Sequence, residues 1–168
     1  MKRAVLCVEN PHDYIDQLKD YSIMIVNPNV AESRLRYLID RSDYSLLITK
    51  NGYEDRQGND YGNERLFWYT SGTTGDSKFC SFTHEQIAHM ANNICREYKI
   101  TDSDRYLSVM PLWHAHGLGF YWAANIAGCE VKYIKYQDLK EKINYSPTFI
   151  TAIPDFLKLA MRQSFPDL

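Results

Sequence analysis

Trp68-Tyr69-Thr70-Ser71-Gly72-Thr73-Thr74-Gly75-Asp76-Ser77-Lys78 follows Leu66-Phe67, so an apolar, strand-like run passes directly into glycines and hydroxyls that end on a lysine. Glycines let the backbone turn its N–H groups toward one point, and hydroxyls add rotatable donors. The lysine adds a compact positive charge. Such a set suits a polyphosphate, with Thr70, Ser71, Gly72, Thr73, Thr74, Gly75 and Lys78 as the expected contacts. Composition alone would favour a solvated turn. The order, strand then loop then lysine, is what favours a phosphate cradle.

Two familiar phosphate loops do not fit. Counting from Gly72, the second glycine of a Walker A loop would fall on Ser77, and Phe79 follows the lysine where Ser or Thr is required. Gly72-Thr73-Thr74-Gly75 has the wrong spacing for a dinucleotide fingerprint.

Outward from the loop, apolar runs alternate with helical periodicity. Strands are expected at 4–8, 22–26, 45–49, 66–70, 78–82, 105–110, 130–134 and 148–152. Helices are expected at 11–19 behind an Asn10 cap, at 31–41 with Leu35, Leu38 and Ile39 on one face, and at 118–127 closed by Gly128. Thr83 and Gln86 form a capping box for a further helix whose stripe is Ile87, Met90, Ile94 and Tyr98. Two more helices are expected at 136–143 and 154–163, and 50–63 reads as a polar loop. This alternation predicts an α/β fold, an open, mostly parallel sheet with helices on both faces. Ligands bind such sheets at the carboxyl ends of strands, where the loop after Thr70 and the segment after Met110 both begin.

The 168 residues predict one domain. A net charge of −2 and a pI near 6.2, without a basic run, give no reason to expect nucleic acid. No apolar stretch reaches membrane-spanning length, and the run after Met1 is too short for a signal peptide. Cys7, Cys80, Cys95 and Cys129 lie far apart and read as reduced thiols of a cytoplasmic protein. His114 and His116 form a His-x-His pair without a third ligand at metal spacing, and His84-Glu85 with His89 is one residue too long for a zincin, so no metal site is expected.

The loop resembles, nearly letter for letter, the Tyr-Thr-Ser-Gly-Thr-Thr-Gly-x-Pro-Lys signature of the adenylate-forming superfamily, the AMP-dependent synthetases and acyl-CoA synthetase-like ligases. Ser77 replaces the customary proline, which would stiffen the turn, so a looser loop is expected. Pro111-Leu112-Trp113-His114-Ala115-His116-Gly117 is similar to the family's Pro-Leu-Phe-His-x-x-Gly segment. Val30 to Leu35 resembles its Pro-x-x-Arg-Leu element, and 147–154 its strand ending in Val-Pro.

The resemblance implies ATP, with Mg²⁺ carried by the nucleotide, and a small carboxylic acid. Their reaction would give an acyl-adenylate and pyrophosphate. It places Trp113, His114 and Gly117 at the substrate pocket, with His114 positioning the carboxylate. The segment holds no acid to pair with an α-ammonium, which points to an acyl or aryl acid. Phe120, Tyr121 and Trp122 fit either that pocket or the core. The family's Tyr-Gly-x-Thr-Glu segment, ribose aspartate and C-terminal lysine do not occur before Leu168. The chain is therefore expected to be a truncated piece of the adenylate-forming N-terminal domain: a single partial AMP-binding domain over 1–168, incomplete alone, served by a homo-oligomer or a complementary subunit. The alternative is a non-catalytic nucleotide-binding or protein-interaction module.

Overall fold

The computed structural model describes residues 1–70, 77–135, 145–155 and 158. They form two compact units, Met1–Gln86 and Ile87–Leu168. The helix expected at 136–143 and most of that at 154–163 lie outside the described residues.

In the first unit, β1 (Lys2–Cys7) is the apolar run that must be buried. It lies between β2 (Tyr21–Ile25) and β3 (Leu46–Thr49), parallel to both, with Val5 opposite Met24 and Leu47. Val5, Cys7, Met24, Leu47 and Phe67 build the core of one face with Leu38, while Ala4, Leu6, Ile23 and Ile25 are fully buried on the alternate positions. Burial of both faces is why these strands read as continuous apolar runs rather than alternating ones. Leu38 comes from α2 (Glu32–Ser42), which ends where Asp43 adopts a left-handed conformation, φ 49°. The preceding α1 (His12–Ile15) is a short turn started by Pro11, not capped by Asn10.

β5 (Glu64–Tyr69) joins the sheet parallel to β2. Two antiparallel edges complete the order β4-β3-β1-β2-β5-β6: β4 (Gly52–Asp55) pairs with β3, and β6 (Phe79–Thr83) with β5. The polar, fully exposed β4 occupies part of the expected loop. Sequence periodicity misses it because an edge strand has no face to bury, and its charges suit an edge.

A buried ion pair ties the unit together. Arg3 grips Glu64 with two parallel bonds, Nε–Oε1 2.8 Å and Nη2–Oε2 3.0 Å. Ser22 donates to the same carboxylate at 2.8 Å, and Arg3 Nη1 donates to the Ser42 carbonyl at 3.0 Å. The guanidinium lies 3.6 Å from the Tyr61 ring centroid. One bidentate pair thus fastens β1, β2, β5 and the end of α2.

α3 (His84–Tyr98) starts on the expected capping box. The Thr83 N–H donates to Gln86 Oε1 at 2.9 Å, and the Gln86 N–H to Thr83 Oγ1 at 3.3 Å. In the second unit, β7 (Arg105–Ser108) is central in a parallel sheet, between β8 (Glu130–Tyr133) and β9 (Phe149–Thr151). α4 (Ala115–Ala127) links β7 to β8 and stops at Gly128, φ 80°, whose left-handed turn closes the last carbonyls. Tyr106 is fully buried, stacks on Phe149 at 4.7 Å and bonds Thr151 at 2.6 Å. Gly119 faces α3, where a Cβ would meet Ile94 Cδ1 at 3.5 Å, an ordinary contact.

Candidate functional site

Residues 70–78, the glycine-rich stretch, connect β5 to its antiparallel partner β6. Tyr69 lies opposite Phe79, and the next rung closes the loop. The Thr70 N–H donates to the Lys78 carbonyl at 2.9 Å, and the Lys78 N–H reaches Thr70 Oγ1 at 3.2 Å. Of the expected phosphate contacts, Thr70 and Lys78 are therefore brought together, both exposed. Ser71, Gly72, Thr73, Thr74 and Gly75 lie outside the described residues.

Ser77, where a looser loop was expected, is tied to the residue that precedes the loop; residues 71–76 lie outside the described residues. It is 1% exposed, and its hydroxyl donates to the Thr70 carbonyl at 2.6 Å while accepting from Arg34 Nη2 on α2. The only donor of that hydroxyl is used, and its lone pairs face a guanidinium. Arg34 also lies 5.1 Å from the Tyr37 ring. Burial raises the pKa of the neighbouring Tyr69 phenol, against the opposing charge of Arg34. Neither Arg34 nor Ser77 was singled out as a site residue from the sequence. The available signal was a serine where a turn favours proline.

The second candidate group follows β7. Leu112 is fully buried and anchors the turn, in which the His114 N–H donates to the Pro111 carbonyl at 3.1 Å. His114 then starts α4 in an extended conformation, φ −104° and ψ 133°, with its side chain uncommitted to capping and its surface exposed. Gly117 explains the motif's spacing. A Cβ there would lie 2.6 Å from the Pro111 carbonyl oxygen and 3.0 Å from Met110 Cβ, so only glycine lets the helix start so close to the strand end. Trp113 is half-buried.

Phe120 and Tyr121 are buried, and Phe120 packs with Ala91, Tyr106 and Ala123 in the core, as does the half-buried Trp122. Of their two readings, the core one describes their place in this unit. His116 packs on Phe120, ring centroids 5.0 Å apart, at the edge of a cavity of about 370 Å³ that Lys99, Asp104 and Thr148 also line. Among the described residues, no group of three His, Cys, Asp or Glu side chains is placed to hold a metal ion, and no helix is long and apolar enough to cross a membrane.

Residues 62–168 match the sequence profile of the AMP-binding enzymes. A probable acyl-activating enzyme of Arabidopsis thaliana is 32% identical over 87 residues, 51% of this chain and 12% of the relative. An oxalate–CoA ligase of the same plant is 45% identical over 53 residues, 32% of this chain and 10% of the relative. Bacillus subtilis O-succinylbenzoate coenzyme A synthetase in complex with AMP superposes with a TM-score of 0.80 at 20% identity, covering 99% of this chain and 52% of that one. The same enzyme in complex with ATP and a magnesium ion gives 0.79 at 19% identity, covering 97% and 42%. The chain thus spans about half the length of these solved neighbours or less, and about a tenth of the curated relatives. The mixed, mostly parallel α/β fold is that of the adenylate-forming ligase N-terminal domain.

Proposed function

Because the chain belongs to the AMP-binding enzyme family, we propose that residues 1–168 are a single partial AMP-binding domain. It supplies the triphosphate grip of an acid-activating ligase. In that reaction a carboxylate oxygen attacks the α-phosphorus of ATP, the α–β phosphoanhydride bond breaks, and pyrophosphate leaves with its Mg²⁺. An acyl-adenylate remains. Lys78 and the donors from Thr70 to Gly75 oppose the charge on the β- and γ-phosphates, a role that needs preorganised groups rather than bond-making ones.

The observation that carries this reading is the closed base of the loop. It holds the Thr70 hydroxyl against the Lys78 backbone N–H, with the Lys78 side chain exposed, in a family whose solved members include one holding ATP and magnesium. His114, exposed at the start of α4, is the residue that positions the carboxylate, with Trp113 and Gly117 shaping its approach. The absence of an acid from Trp113 to His116 favours a carboxylic acid without an α-ammonium group.

Lys78→Ala tests the grip. A charge-assisted bond contributes about 1.5–3 kcal/mol, so ATP affinity should fall by roughly one to two decades by calorimetry. Unchanged affinity would remove Lys78 from the site. ATP–pyrophosphate exchange with a carboxylic-acid panel, run with any complementary subunit, separates a ligase from a binding module: the module binds ATP and shows no exchange.

A further inference from the structure

We propose that Arg34 is a positioning residue for the phosphate loop, acting through Ser77; the inference rests on the phosphate reading of that loop. Arg34 projects from the first turns of α2 and donates to the Ser77 hydroxyl. The same hydroxyl donates to the Thr70 carbonyl, the last peptide oxygen before the loop. Ser77 is itself bonded covalently to Lys78, whose backbone already pairs with Thr70. A single chain of bonds therefore joins the helix to both ends of the loop.

The chemistry of the pair explains its strength. A serine hydroxyl that only donates to a carbonyl has its lone pairs left over, and at 1% exposure no water is available to use them. A guanidinium fills that need, and its charge polarises the hydroxyl toward the Thr70 oxygen. Arg34 is half-buried, so its charge is screened less than that of a surface arginine. Arg34 fixes where the peptide of Lys78 stands, and so where the exposed Lys78 side chain starts.

Hydrogen exchange and polyphosphate affinity test the clasp together, on the full chain. In Arg34→Met and in Ser77→Ala, the amide hydrogens of Thr70 and Lys78 should exchange about tenfold faster, while those of Val5 and Met24 in the core keep their rates. Affinities for ATP and for inorganic tripolyphosphate should fall about fivefold and by the same factor. The double variant should lose no more than either single one, because both substitutions break one chain of bonds. Arg34→Lys, which keeps a cationic donor, should restore part of both readouts.

Unchanged exchange at Thr70 and Lys78 in both variants overturns the clasp. Faster exchange with unchanged affinity overturns the positioning role, as does additivity in the double variant. A wild-type chain that binds neither probe overturns the phosphate reading, and the positioning role with it. Exchange alone then still decides whether Arg34 holds the hairpin shut.

Discussion

The two units present their candidate residues by opposite means. In Met1–Gln86 the framework of the sheet that carries Lys78 is polar and largely buried: Arg34 with Ser77 beside Lys78 and, at the other end of β5, Arg3 with Glu64 and Ser22 and Arg65 donating to the Leu18 carbonyl at 3.0 Å. In Ile87–Leu168 the framework that carries His114 is steric: Gly117 against Pro111, and Tyr106 stacked on Phe149. A polar framework holds only while every member stays satisfied, so deleting one atom should damage it. A steric framework tolerates changes of charge but not added volume where backbone meets backbone. The first unit should therefore be sensitive to lost groups and to pH, and the second to added methyls.

The largest effect is expected where the polar framework is broken outright. Glu64→Ala leaves the Arg3 guanidinium buried without its carboxylate, with the Ser22 hydroxyl stranded beside it. Removing one partner of a buried pair typically costs about 3–5 kcal/mol. Urea denaturation followed through the first unit should show this loss. A loss of under about 1 kcal/mol would show that the pair behaves like a surface ion pair and that the contrast between the units is wrong.

The acid response sharpens the same contrast. Both ring nitrogens of His12 are shielded from solvent, and burial lowers its pKa to about 4, partly offset by the negative charge of Asp13. An unfolded histidine titrates near 6.5. Between those values the unfolded chain binds a proton that the folded one refuses. Stability is therefore intact above pH about 6.5 and falls as the pH drops toward 4, by up to about 3 kcal/mol. His12→Gln should flatten that part of the pH–stability curve. A wild-type curve already flat from pH 7 to 4.5 would contradict the burial of the ring.

Much of the framework was legible in the sequence, for identifiable reasons. Strands buried on both faces, such as Ala4 to Cys7, announce themselves as unbroken apolar runs. The capping box at Thr83 and Gln86 and the stop at Gly128 are local, so three or four letters specify them. What stayed hidden depends on distant partners. β4 became a strand because β3 offered it an edge, not because of its own polar residues. Ser77 looked like a weakened turn, since nothing nearby in the sequence shows that Arg34 reaches it from α2. Likewise Asn10 looked like a cap, but the chain turns one residue later, at Pro11. Of the candidate site, Lys78 and His114 were readable because they lie in ordered motifs, whereas their supports come from sequence-distant or purely steric contacts.

Within the second unit, a pair of alanines separates sterics from helix propensity. Gly117→Ala would place a Cβ 2.6 Å from a backbone oxygen, which no side-chain rotation relieves. Overpacking of this kind costs about 1–3 kcal/mol. The turn that presents His114 should shift with it. Gly119→Ala, only two residues on in the same helix, meets Ile94 Cδ1 and Met90 Cε at 3.5 and 3.8 Å, which is ordinary contact. There the gain in helix propensity, about 1 kcal/mol, should dominate and leave the unit equally stable or more so. Thermal unfolding of the two variants should move in opposite directions. Movement in the same direction would mean that glycine is kept at both positions for flexibility rather than for space.

The smallest effect belongs to the capping box at the start of α3, where a polar device serves a helix whose remainder is held by apolar packing. Thr83→Ala removes the oxygen that accepts from the Gln86 N–H, but leaves the reciprocal bond from the Thr83 N–H to Gln86 intact. The loss should be about 1 kcal/mol, the usual range for a cap exchanged for alanine. Gln86→Ala removes the other half and should cost a similar amount or less, because Thr83 is only half-buried and Gln86 exposed, so water can replace the partner of the Thr83 N–H. Together the two changes should be less than additive if the box acts as one unit. Strict additivity, read from urea midpoints of the single and double variants, would show two independent bonds, and would place this polar contact outside the cooperative pattern that distinguishes the first unit from the second.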